Sequence, residues 1–150
     1  MQSATFERAG LAFRLQRRFR ASREKVFRAW TEPEVLTKWW CPDGWTPAEI
    51  EVDLRPGGTY RFGMRRAGSG ETVYVHGSFL EIRVPEMLAY TWRWENAFPQ
   101  MPQTRVTVEF AAEGAGTLMT LKHEDLPEIP VCLQHRSGWL TAFDRIDKIL

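Results

Sequence analysis

The chain is short of the residues that carry covalent or metal chemistry. Of its 150 residues only two are cysteine and three are histidine. Cys41 and Cys132 stand far apart with no CxxC or Cys/His spacing, which argues against a disulfide-stapled scaffold and a structural zinc site. That usage fits a reducing, cytoplasmic location. GxSxG, HExxH, P-loop and GxGxxG patterns are all missing, so no metal and no cofactor is expected and no strong catalytic motif stands out. Charge of one sign is also scarce in excess: 20 Lys+Arg against 19 Asp+Glu leave a net +1, which gives no nucleic-acid footprint. Long apolar runs are absent, and the opening MQSATFERAG has no hydrophobic stretch, so neither a membrane span nor a secretory leader is expected. Residues 1–10 read as a flexible lead-in and 11–150 as one domain. A domain of this length buries roughly two-thirds of its unfolded surface.

What is present in surplus is aromatic. Seven Trp, nine Phe and three Tyr make 13% of the chain, more ring surface than packing alone demands. Their positions follow from the hydropathy pattern. Leu11, Phe13, Leu15 and Phe19 alternate with Arg14, Gln16, Arg18 and Arg20, the period of a half-buried strand. Arg17 falls on the apolar side, where a guanidinium needs a carboxylate, a ring or a ligand. Arg14, Arg18 and Arg20 form a solvated face. Ser22 then caps a short helix carrying Val26, Phe27 and Trp30. Thr31, with Glu34 three residues on and Pro33 between, reads as a capping box that starts a second helix bearing Val35, Leu36, Trp39 and Trp40.

Cys41-Pro42-Asp43-Gly44 turns the chain into a run of strands. Ile50, Val52 and Leu54 alternate, Arg55-Pro56-Gly57-Gly58 turns, and Tyr60, Phe62 and Met64 resume. Val73, Val75 and Phe79 mark the next strand, in which Gly77 signals a bulge or bend. Leu88, Tyr90, Trp92 and Trp94 follow on one nearly all-aromatic face. The loop from Glu95 to Gln103 carries exposed-looking Phe98 and Met101. Two further strands, over Val106–Phe110 and Thr117–His123, precede a long helix in which His135, Trp139, Ala142, Phe143, Ile146 and Leu150 recur at helical spacing. Strands joined by hairpins, with helices at the ends, predict an α+β domain whose antiparallel sheet grips the last helix.

Arg17 to Trp40 (RRFRASREKVFRAWTEPEVLTKWW), the turn Asp53-Leu54-Arg55-Pro56-Gly57-Gly58, Gly77 and the segment His135-Arg136-Ser137-Gly138-Trp139 together resemble the activator of heat shock protein 90 ATPase C-terminal-like family. That family belongs to the START-like, or SRPBCC, helix-grip superfamily. The resemblance covers about residues 11–150. It implies a β-α-α-β6-α domain in which a twisted seven-stranded antiparallel sheet wraps the C-terminal helix and leaves a hydrophobic cavity. The family name also implies a chaperone partner. Full-length chaperone activators carry a separate N-terminal domain for which this chain has no room, so a chaperone ranks behind a small-molecule ligand as the expected partner.

The aromatic positions Trp39, Trp40, Tyr60, Phe62, Tyr90, Trp92, Trp94, Trp139 and Phe143 lie on elements that a helix-grip arrangement would put around a cavity, with Trp40 and Trp139 foremost. Arg17 and His135 are the polar groups available to orient a ligand. His135 is the candidate for proton transfer, and its alternative is a hydrogen bond that fixes helix docking. His76 and His123 read as surface or satisfied core groups. Asp53, Arg55, Pro56, Gly57 and Gly58 read as a structural turn, and Arg17, Glu51 and Asp53 as members of a buried charge network. The leading expectation is a non-catalytic binder of a small hydrophobic or aromatic ligand. A cyclase- or hydrolase-like enzyme is one alternative, and a chaperone-associated protein or homodimer joined through the Glu95–Gln103 loop is another.

Overall fold

The computed structural model describes residues 10–150, so most of the expected lead-in lies outside the described residues. The first strand, β1 (Leu11–Phe19), is followed by helices α1 (Arg23–Thr31) and α2 (Pro33–Trp39). Then come β2 (Trp45–Val52), β3 (Thr59–Arg66), β4 (Thr72–Arg83), β5 (Met87–Trp94), β6 (Thr104–Glu113) and β7 (Gly116–Leu126), and the chain closes with α3 (Ile129–Ile149). The seven strands form one antiparallel sheet in the order β1-β7-β6-β5-β4-β3-β2, so the first strand returns to pair with the last. Consecutive strands are neighbours everywhere else, as hairpin connections require.

Period-two alternation decides what faces the helices. Leu15 and Phe19 of β1, Val106, Val108 and Phe110 of β6, and Met119 and Leu121 of β7 are all buried on the concave side. Registers such as Val108 opposite Leu121 and Phe110 opposite Met119 stack these apolar positions across strands. The helices cover that face with Val26, Phe27, Trp30, Leu36, Trp39, Phe143 and Ile146.

The junction between α1 and α2 departs from the expected capping box. Ser22 does cap α1, its hydroxyl accepting from the Lys25 N–H at 3.3 Å. Thr31, however, ends α1, donating its hydroxyl to the Phe27 carbonyl at 3.1 Å, and Glu32 takes the N-cap place of α2 without a side-chain bond. Pro33 explains the shift. It disfavours helical backbone at the residue before it, and Glu32 is extended at φ −92° and ψ 122°.

Gly77 serves close approach rather than a bulge. A Cβ there would collide with the Thr91 carbonyl oxygen of β5, while the break in register falls between Phe79 and Glu81. The expected buried charge network also dissolves. Arg17 pairs across to Asp144 at 3.0 Å and Asp147 at 3.7 Å on α3, whereas Asp53 pairs with Arg55 within its own exposed turn and Glu51 is exposed. In that turn Gly57 has φ 79°, and the turn docks on β4 through hydrogen bonds to Phe79. On the convex side, Arg61 grips Glu95 with two bonds of 2.8 and 2.9 Å and lies 3.8 Å above the Tyr74 ring. Among the described residues no helix is long and apolar enough to cross a membrane.

Candidate functional site

One end of the sheet stays open beside α3. The C-terminal end of α2 (Trp40), the turn Cys41-Pro42-Asp43 and Trp45 form one wall of a cleft of about 550 Å³. Met64 and Arg66 of β3, Glu71 just before β4 and Val73 of β4 form another, and Trp92, Trp94 and Phe98 a third. His135, Gly138, Trp139 and Ala142 of α3 close it. Clefts that hold small molecules are commonly about 300–1,000 Å³ and mostly apolar.

Five tryptophans therefore share one opening. Trp92 is the floor: its ring lies 6.2 Å from Trp40, 5.5 Å from Trp94 and 5.3 Å from Trp139 between centroids. Phe98 adopts a left-handed backbone at φ 46°, uncommon for a bulky residue, and so lays its ring 4.9 Å from His135 and 5.3 Å from Trp94. Met101 is buried as well. The loop thus spends its two large apolar groups inward, contrary to the exposed reading, and presents Pro99, Gln100, Pro102 and Gln103 to solvent.

Two histidines are wired to two of these indoles. An indole N–H only donates, which fixes the tautomer of whichever imidazole it meets. Trp94 Nε1–H donates to His135 Nε2 at 3.0 Å, so His135 Nδ1 carries the proton and donates to the Val131 carbonyl at 2.9 Å. Trp139 Nε1–H donates to His123 Nδ1 at 3.2 Å, so His123 Nε2–H donates to Thr104 Oγ1 at 2.9 Å, and that hydroxyl donates onward to the Trp92 carbonyl. Burial holds both imidazoles below their ordinary range; the neighbouring His135 adds to the effect on His123, and the Val131 carbonyl partly offsets it on His135. Both rings are neutral with every nitrogen engaged. His135 consequently has no spare lone pair with which to take a proton, and its Nε2 is bonded to the β5 residue Trp94.

Burial also pushes the Cys41 thiol up to about 12, against a small opposite pull from Arg145, so Cys41 is a protonated, unreactive sulfur in the wall. No group of three or more His, Cys, Asp or Glu among the described residues is placed to hold a metal ion. At the rim, Arg66 lies 3.8 Å from Glu71 and 5.8 Å from the Trp45 ring centroid.

Of the residues singled out from the sequence, the fold brings Trp40, Trp92, Trp139 and His135 to the cleft, together with Trp94. The others face inward but lie away from it. Trp39 is fully buried 4.8 Å from Trp30, with its N–H on the Ala29 carbonyl at 2.8 Å. Phe143 is fully buried against Trp30 and Trp139. Tyr60, Phe62 and Tyr90 pack with Phe79 farther along the sheet, Tyr60 donating its hydroxyl to the Thr91 carbonyl. Arg17 does not line the cleft, because its guanidinium is spent on Asp144 and Asp147. The turn from Asp53 to Gly58 lies apart from it too. Trp45, Phe98 and Gly138 were not singled out as lining residues. Trp45, next to a turn that begins at the double tryptophan Trp39-Trp40, carried the one readable signal.

The fold recurs in solved structures. Protein CV1439 from Chromobacterium violaceum is 28% identical with a TM-score of 0.84, covering 92% of this chain and 95% of that one. Protein NE0264 from Nitrosomonas europaea is 27% identical with a TM-score of 0.77, covering 92% of each chain. The AHSA1 protein SPO3351 from Silicibacter pomeroyi shares the fold at 21% identity and a TM-score of 0.81, covering 92% of this chain and 96% of that one. No curated protein matches. The profile of the family described as "Activator of Hsp90 ATPase homolog 1-like protein" matches residues 20–150, and with a helix-grip architecture around α3 the chain belongs to that family.

Proposed function

We propose that the chain binds a small, largely apolar ligand in the cleft between the sheet and α3. The observation that carries this reading is a ring-lined opening of about 550 Å³ whose one lining imidazole, His135, is already satisfied by protein partners. Such a wall offers apolar area and ring faces. A cyclase- or hydrolase-like activity rested on His135 as proton carrier, and both of its nitrogens are engaged.

Tryptophan emission is the direct test, because five of the seven indoles line the cleft. Titration with fatty acids, flavonoids and polyketides should give a saturable change for at least one class, and Trp40→Ala should weaken it. A panel without saturable change would overturn the reading.

A further inference from the structure

The bond from Trp94 to His135 crosses the cleft from its β5 wall to α3. Among the described residues it is the one side-chain hydrogen bond or ion pair that ties residues 129–137 of α3 to another element. The remaining contacts of those turns are apolar: Phe98 lies 4.9 Å and Trp92 6.2 Å from the imidazole between ring centroids, and Val131 and Cys132 pack beside the core. Its direction makes the tie conditional. A neutral imidazole accepts at Nε2, whereas an imidazolium carries an N–H on both nitrogens. A proton added at Nε2 would set two N–H groups facing each other across 3.0 Å. Turning the ring over repeats the conflict, because both nitrogens then donate.

The surroundings of His135 do nothing to accommodate the charge. From β5 it meets Trp92 and Trp94, from the following loop Phe98, and from β7 His123, whose ring centroid is 5.4 Å away. Of these only His123 titrates, and a second imidazolium beside the first is repelled. On α3 itself, Cys132 one turn earlier is a neutral thiol raised by burial, and Arg136 is exposed. The charged groups on the other walls of the cleft are already paired, Asp43 with Arg145 and Arg66 with Glu71. Burial lowers the proton affinity of His135, the Val131 carbonyl partly restores it, and no carboxylate contributes. His123 is fully enclosed, whereas His135 lines the cleft.

We propose that the Trp94–His135 pair is an acid-sensitive latch: neutral His135 holds the first turns of α3 against the Trp94 wall, and protonation of His135 releases those turns and widens the cleft. Release lets both N–H groups of the imidazolium reach water. The open form takes its proton near the ordinary histidine value of about 6.5, and the closed form resists it. Opening is therefore unchanged above that pH and grows as pH falls below it.

Amide hydrogen exchange on the whole chain, corrected for its intrinsic pH dependence, reads this opening without any ligand, so its outcome leaves the cleft reading untouched. From about pH 7.5 to about pH 5.5 the amides of residues 133–137 should lose protection severalfold, up to the roughly tenfold that one histidine supplies over that interval. Low urea should scarcely alter their exchange, as for an opening much smaller than unfolding. In His135→Gln, whose side-chain oxygen still accepts from Trp94 but does not titrate, the protection of these amides should be independent of pH. Constant protection in the wild type, a loss of the same size in His135→Gln, or a urea dependence as steep as that of global unfolding overturns the latch. Should the variant not fold, an NMR titration of the wild type decides. The Trp94 indole N–H resonance must leave its hydrogen-bonded position in step with protonation of the His135 ring while the amides of β6 and β7 keep their native shifts. A Trp94 resonance that persists through that protonation, or that is lost only when the whole chain unfolds, overturns the latch as well.

Discussion

The two ends of the concave face use the same residue type in opposite ways. Under β1, β6 and β7 the indoles are sealed: Trp39 is fully buried against Trp30, which stacks on Trp139 at 5.6 Å and lies edge-on to Phe110. Their N–H groups go to a carbonyl and a thioether, partners that cost the fold nothing extra. At the other end, Trp40, Trp45, Trp92, Trp94 and Trp139 border open volume, with Trp94 bonded to His135, Trp139 to His123, and a left-handed Phe98 against the Trp94 ring. Aromatic content therefore divides into filler and wall, and only in the wall do imidazoles serve as the indole partners.

The strongest way to break that contrast is truncation at each end. Trp39→Ala should cost about 3–5 kcal/mol in urea unfolding, as expected for a large side chain removed from a sealed core. Trp45→Ala, at the half-buried rim, should cost about 1 kcal/mol or less, the range of a substitution away from close packing. Equal losses would mean the cleft wall is ordinary core.

Acid sharpens the same contrast, because the wall depends on two imidazoles that fold as neutral bases. Their folded-state affinity for protons is depressed, so the unfolded chain binds more protons once pH drops below about 6.5. Above that value they leave stability unchanged. As pH falls through the unfolded-state range, stability should decline by about 1.4 kcal/mol per pH unit for each histidine until the folded-state values are reached. Denaturant unfolding between neutrality and mild acid reads this slope, and His135→Gln should reduce it to about half. A slope unaltered in that variant would show that His135 does not resist protonation.

Glycines provide the smallest test. On the sealed side, a Cβ on Gly116 would run into the Phe19 carbonyl oxygen, so Gly116→Ala should destabilise. Gly138, inside α3 and on the cleft, meets only the Pro42 Cβ at 4.0 Å. Gly138→Ala should therefore raise stability by about 0.5–1 kcal/mol, a few degrees in Tm. A loss of stability at Gly138 would mean the helix needs glycine there for packing.

How much of this was readable in the sequence follows from what periodicity encodes. Alternation tells which residues share a face of a strand, and it grouped Tyr60 with Phe62, and Tyr90 with Trp92 and Trp94, without saying which face is inward. It carries no information about which end of the strand stays open. Along β3, Phe62 packs under Trp40 at 5.0 Å while Met64, two residues on, reaches the cleft; along β5, Tyr90 is packed, Trp92 is floor and Trp94 is wall. The order of elements along the chain and the helix at the end were legible for the complementary reason, since they need only hydrophobic period and turn residues. Partner choice was not. The acids that hold Arg17 lie 127 and 130 positions away, on one face of α3 at Asp144 and Asp147. The pairing of each histidine with a tryptophan depends likewise on contacts that no local pattern announces.

The restraints on α3 are unevenly spread. Arg17 holds Asp144 and Asp147, and Arg145 holds the Pro42 carbonyl and Asp43, all beyond Gly138. The first turns of α3, with Ile129 and Leu133 exposed, rest on Trp94 and Phe98 around His135. Within one fold, local opening ranges from almost free to as costly as global unfolding. The lightly held turns are expected low on that scale. Opening of the cleft end of α3 is thereby expected to cost less than release of the end that the ion pairs secure.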